Sequence, residues 1–204
     1  MLRAYLAGPD VFLPNAARHA RAKVAICARH GIEGCPPLNE DAGALAALPD
    51  DAAWRSIYAK DVAMMEAADL VIANLTPFRG ASADAGTLVE LGWFLGRGKP
   101  AFGYSNAAAG FAERSRALLA AQPDPMPGLA VEGFGLPDNL MIPGAVLAGG
   151  HAMVLPEDGR DRAFDALDVF ERCVALAASV LRAPGGTLTA AYDARPRRSQ
   201  PDQG

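Results

Sequence analysis

The chain reads as an α/β protein with a central, mostly parallel, five-stranded sheet covered by helices on both faces. Two observations carry this reading. Short apolar runs of strand length alternate with longer stretches of helical periodicity. One of them, Asp69-Leu70-Val71-Ile72-Ala73-Asn74-Leu75, is apolar enough to be a central strand buried on both sides.

Ala4–Leu6 is the first strand, ended by Gly8-Pro9. Asn15 is placed to cap a helix over Ala16–His30, and Gly31 stops it. Gly34–Leu38 is a second extended segment. Asp41–Asp51, rich in Ala, Gly and acids, reads as an insertion with at most a weak helical turn. Ile57, Val62, Met65 and Ala68 recur at helical spacing over Ala52–Ala68. After the Asp69–Leu75 strand, a Pro-Phe-Arg-Gly loop leads to a helix over Ala85–Arg97, closed by Gly98. Lys99–Tyr104 is the next strand, and Asn106–Gln122 reads as helix. Pro123–Pro137 carries four of the sixteen prolines and is therefore a loop. Met141 and Ile142 belong to a short structured segment, Met153–Leu155 is a last strand, and Asp161–Leu181 a final amphipathic helix. The reading is one domain over residues 1–182 and a tail, 183–204, whose Pro, Gly, Arg and Gln predict disorder.

Composition narrows the function. The 204 residues carry 19 Lys+Arg and 23 Asp+Glu, a formal charge of −4, which argues against nucleic acid as the main partner. No apolar run reaches the ~18–20 residues that span a bilayer, and the start, Met1–Asp10, has too short an apolar core for a signal peptide. Cys27, Cys35 and Cys173 are odd in number without CxxC spacing, so a disulfide framework is not expected and a reducing cytoplasm is the default location. His19, His30 and His151 form no metal-binding pattern, and no phosphate-binding or dinucleotide fingerprint occurs.

In parallel sheets ligands bind beyond the carboxyl ends of the strands, so the loops after Leu6, Leu38 and Leu75 are where chemistry belongs. The most informative stretch is Ser82-Ala83-Asp84-Ala85-Gly86-Thr87-Leu88-Val89-Glu90-Leu91-Gly92. Asp84 and Glu90 flank a helix start, where free N–H groups favour an ionised carboxylate able to act as nucleophile or base. The plainer alternative makes Asp84 a helix cap and Glu90 a solvated acid. Gly86 and Gly92 allow close approach of backbone or ligand. Asp61 sits one step from an apolar helix stripe and is otherwise a surface acid beside Lys60. Asn139, an amide among apolar neighbours, suits a sugar hydroxyl or a turn. Asn39 and Glu40 end the second extended segment, within reach of a ligand or in a turn. Tyr5 and Phe12 flank the first loop as core or as walls for a flat ring.

Together these residues resemble the nucleoside 2-deoxyribosyltransferase family. The matching pieces are Tyr5–Phe12, Asp61, Ala68–Gly80, Asp84–Gly92 with its Asp-x-Gly-Thr-x-x-Glu-x-Gly pattern, and Val131–Met141 with Asn139-Leu140-Met141. The resemblance implies a flavodoxin-like three-layer sandwich and transfer of the 2-deoxyribosyl group between purine or pyrimidine bases of 2′-deoxynucleosides. It implies Glu90 as nucleophile, with a covalent intermediate and retention at the anomeric carbon. It also implies Asp61 beside the base, Asp84 on sugar hydroxyls, and Tyr5, Gly8 and Phe12 lining the pocket. Asn139, with Met141 nearby, would contact the 5′-hydroxyl in a neighbouring subunit's site, so a homo-oligomer built on dimers, a tetramer or a hexamer, is expected. No cofactor and no metal are implied.

Three departures bear on base preference: the Asp41–Asp51 insertion, the Ala183–Gly204 tail and Pro9-Asp10-Val11 in the first loop. One rival is an N-glycosidase of deoxynucleosides or their 5′-monophosphates, with Ser82 and Arg79 near the phosphate, where Asp138 would sit awkwardly. The other is a binding module without turnover.

Overall fold

A computed structural model of the chain describes residues 1–38, 47–121, 123–124, 126–149 and 151–182. Asn39 and Glu40, most of the 41–51 insertion and the 183–204 tail lie outside the described residues. The described order is β1 (Leu2–Tyr5), α1 (Ala16–Arg29), β2 (Ile32–Cys35), α2 (Asp50–Ala67), β3 (Leu70–Asn74), α3 (Ala85–Gly96), β4 (Ala101–Tyr104), α4 (Phe111–Ala121), α5 (Met141–Ala148) and α6 (Asp168–Arg182).

The four strands are parallel in the order β2-β1-β3-β4. Alternation along each strand divides the core. Ala4, Leu70, Ile72, Phe102 and Tyr104 point to one face and pack against Ile26 and Cys27 of α1 and Val169, Phe170 and Val174 of α6. Tyr5, Val71, Ala73 and Ala101 point to the other, against Met65 of α2, Leu91 and Phe94 of α3 and Ile142 and Val146 of α5. β3 is buried along its whole length, as its unbroken apolar run requires.

The α/β reading holds, with a correction. Among the described residues the sheet has four strands, not five. Val154 makes a single parallel bridge to Tyr104, with hydrogen bonds at 2.9 Å from its N–H to Gly103 and from Ser105 N–H to its carbonyl. Pro156 follows almost at once and has no N–H to carry the ladder further.

Other boundaries also move. Asn106 lies outside any helix, because its side-chain amide donates to the carbonyls of Ala163, Phe164 and Ala166, and α4 starts only at Phe111. The last helix starts at Asp168, while Asp161 accepts from the Ala108 and Ala109 N–H groups. Asp50 and Asp51, read as part of the insertion, form the first turn of α2. Asn15 makes no side-chain cap.

The strand order reverses between β1 and β3, so the loops after these two strands face each other. Gly8 is held there at φ 155°, and a Cβ on it would lie 2.7 Å from the Cβ of Asn74 and 2.8 Å from Asp10. A buried polar knot sets this spacing. Asp10 accepts from Lys23 Nζ at 2.7 Å and from Asn74 Nδ2 at 2.9 Å, with His19 Nε2 at 3.3 Å. Burial alone would raise the Asp10 pKa, but Lys23 and His19 outweigh it and hold the carboxyl below its ordinary range. Lys23 is 2% exposed and rests over the Phe170 ring at 4.6 Å. Lys23→Met leaves Asp10 buried without its cation and should cost about 3–5 kcal/mol, read as a lower urea midpoint. Because the Asp10 pKa is depressed, its contribution to stability is present above the ordinary carboxylate range and lost as pH falls through its lowered folded-state pKa.

Candidate active site

The parity that buries Tyr5 on the α2–α3 side of the sheet also aims its hydroxyl at α3. It donates to Glu90 Oε1 at 2.6 Å, and the Tyr5 ring stacks on Phe94 one helical turn further along at 5.9 Å. Glu90 is half-buried. Among the described residues no cation pairs with it, and Tyr5 is its one hydrogen-bond donor. Burial therefore dominates and lifts its pKa from 4.5 to about 7. The Tyr5 hydrogen bond opposes the rise, and the charges of Asp61 and Asp84 add to it. Burial, then the Glu90 charge, pushes the phenol well above its usual range, so Tyr5 remains a neutral donor. The reading of Glu90 as a solvated helix acid is set aside by these contacts.

Asp84 does cap α3: one oxygen accepts from Thr87 N–H at 2.9 Å and Thr87 Oγ1 at 3.0 Å. Its other oxygen, Oδ1, has no partner among the described residues. Gly86 belongs to the same turn, and a Cβ there would lie 3.1 Å from Asp84 Oδ2. Asp61, on α2, is half-buried, and burial raises its pKa against the pull of Lys60. Tyr5, Asp61 and Asp84 all lie near enough to act on Glu90, and among the described residues the one cation felt within this group is Lys60, at Asp61. Gly8 lies three residues beyond Tyr5 in the loop after β1, packed against Asn74 and Asp10.

Phe12 is 62% exposed and stacks on Phe78 at 5.6 Å, with the Arg79 guanidinium 4.9 Å from the Phe78 ring centre. Arg79 itself is in the left-handed region at φ 54°.

Asn139 and Met141 are elsewhere. With Ser82, Leu88 and Gly92 they line an open hollow of about 340 Å³. At 100° per residue, Leu88 and Gly92 each lie about 160° around α3 from Glu90. The chain's own Asn139 therefore faces the flank of α3 opposite Glu90.

Sequence reasoning missed the groups that fix this second region. Asp138 is fully buried and accepts from Ser82 Oγ at 2.6 Å, Ala83 N–H at 3.0 Å and Asn139 N–H at 2.8 Å. Arg114 lies 3.8 Å from it and donates to the carbonyls of Ala81, Ala109 and Pro137. Glu132 accepts from Asn139 Nδ2 at 2.8 Å and Leu140 N–H at 2.6 Å. The signal available in the sequence was the Asp138-Asn139 pair, an acid that buries itself by capping the backbone N–H groups near it.

A model of the family described as nucleoside 2-deoxyribosyltransferase matches residues 4–141. The chain belongs to that family. A 2-desoxiribosyltransferase from Leishmania mexicana is 28% identical with a TM-score of 0.58, covering 88% of this chain and 98% of that one. A conserved protein from Enterococcus faecalis V583, 18% identical with a TM-score of 0.51 over 87% of this chain and 99% of its own, shares the fold. An uncharacterized protein of Schizosaccharomyces pombe is 34% identical over 113 residues, 55% of this chain; the match spans about half of that relative, 54%. Among the described residues, no helix is long and apolar enough to cross a membrane, and no group of three or more His, Cys, Asp or Glu is placed to hold a metal ion.

Carboxylate-directed NMR titration should find a group with an apparent pKa near 7 that disappears in Glu90→Gln. Tyr5→Phe removes the opposing hydrogen bond and shifts it up; Asp61→Asn removes a like charge and shifts it down. Because the folded pKa is raised, Glu90 costs stability as pH rises from 4.5 to about 7, and Glu90→Gln should flatten that part of the unfolding profile.

Proposed function

We propose that this chain transfers the 2-deoxyribosyl group of a 2′-deoxynucleoside to a second nucleobase, through an ester on Glu90. The observation that carries this reading is the half-buried carboxyl of Glu90, at the reversal in strand order, held by Tyr5 at 2.6 Å and paired with no cation among the described residues. A carboxylate so placed gains most when positive charge develops next to it, which is what an oxocarbenium-like transition state supplies.

In the first step a Glu90 oxygen bonds to the anomeric carbon as the carbon–nitrogen bond breaks. The electron pair stays with the leaving base, which takes up a proton from Asp61, whose pKa is raised by burial. In the second, a ring nitrogen of the incoming base attacks the same carbon. The ester bond breaks, Glu90 is regenerated, and the proton displaced from the new base returns to Asp61. Two inversions give net retention. Asp84 Oδ1 is available to a sugar hydroxyl, Gly8 and Phe12 wall the nucleoside, and Tyr5, fully buried, holds Glu90 from the core side.

The 5′-hydroxyl falls to Asn139 of a neighbouring copy. Two features support that assignment: Asn139 faces away from its own Glu90, and Val89, Met141 and Leu147 expose 71%, 70% and 60% of their surfaces on the helices around it.

Deoxyinosine incubated with adenine should give deoxyadenosine, with little free sugar when adenine is absent. Equal release of hypoxanthine and deoxyribose in both tubes would mean a hydrolase. Glu90→Ala should lose about 10⁴-fold or more in kcat while still binding nucleoside. Mixing inactive Glu90→Ala with weakly active Asn139→Ala should raise turnover well above that of either variant as subunits exchange; no gain would place the complete site within one chain.

A further inference from the structure

We propose that Glu132 decides what the site accepts at the 5′ end of the sugar, admitting a free hydroxyl and excluding a phosphate. This rests on the reading that Asn139 meets that end of a neighbour's nucleoside.

The Asn139 amide is held in one orientation. Its Oδ1 accepts from Met141 N–H at 3.2 Å, and its Nδ2 donates to Glu132 Oε2 at 2.8 Å. Glu132 Oε1 accepts from Leu140 N–H at 2.6 Å, so the carboxylate is clamped at both oxygens and cannot swing away. One hydrogen of Asn139 Nδ2 remains to offer a ligand. Any oxygen that accepts it lies beside the Glu132 carboxylate, with the buried Asp138 carboxylate behind at the Asn139 N–H.

The two kinds of 5′ end fare differently there. A hydroxyl accepts from Nδ2 and donates its own hydrogen to a free lone pair of Glu132, so every group is matched. A phosphate has little to donate and brings negative charge against negative charge. Cations nearby do not cancel this. Arg114 is committed to three backbone carbonyls and to Asp138. Arg116 is exposed, with Nη2 4.0 Å from where a Gly133 Cβ would stand, and forms no ion pair with Glu132.

The test compares kcat/KM for deoxyinosine and for its 5′-monophosphate, with adenine as acceptor. The wild type should favour the nucleoside, and Glu132→Gln should raise the monophosphate-to-nucleoside ratio by about ten- to a hundred-fold. Added salt should raise the ratio for the wild type and leave that of Glu132→Gln almost unchanged. A purely structural role for Glu132 would lower both substrates together and leave the ratio fixed, which would overturn the inference. So would an Arg116→Gln variant that moves the ratio while Glu132→Gln does not. Should Asn139→Ala keep the wild-type preference for deoxyinosine over its 5′-deoxy analogue, the placement of Asn139 itself would fail, and the inference with it.

Discussion

A single phenol hydroxyl carries the only hydrogen bond that Glu90 receives among the described residues, and much of the fold exists to deliver it. The bond joins the last residue of β1 to the second turn of α3, two elements 85 positions apart. Strand alternation points Tyr5 toward α3 rather than α1, the cap at Asp84 fixes where α3 begins, and Phe94 holds the tyrosine ring from below. Shifting β1 by one residue would turn the phenol to the opposite face and leave the carboxylate without a donor.

The other buried acids show what makes Glu90 different. Asp10 is as deeply placed, yet Lys23 and Asn74 donate hydrogen bonds to it, and Lys23 and His19 keep its pKa low. Asp138 is fully buried and takes three donors, with Arg114 close by. Both tie loops together: Asp10 the loops after β1 and β3, Asp138 the approach to α3 and the segment carrying Asn139. Glu90 has one neutral donor and two like charges near it. Buried acids that serve as architecture are compensated, whereas Glu90 is left short of partners, and the proposed mechanism assigns the forming cation to it.

Much of this was legible in the chain itself. The alternation of strand and helix signals and the Asp-x-Gly-Thr-x-x-Glu-x-Gly stretch located the α3 start and its two carboxyls, because capping and periodicity are local properties. Partners distant in sequence were less accessible. Nothing near Asn106 predicts that its amide will be drawn to residues 163–166, and Val154 became a one-residue bridge because a proline two positions on ends the ladder. Glu132 sat in plain view within Val131–Met141, but its part depends on how the backbone folds back on Asn139. That Asn139 faces away from Glu90 likewise follows from helix geometry, once Leu88 and Gly92 are seen beside it.

The central claim is that Glu90 becomes covalently bonded to the sugar. Mixing the protein with deoxyinosine in the absence of an acceptor, quenching in acid and mapping the peptides by mass spectrometry tests it directly. A mass gain of one deoxyribosyl group is expected on the peptide containing Glu90, and it disappears when adenine is added before the quench. A turning-over enzyme with no adduct, or an adduct that survives in Glu90→Ala, would contradict it.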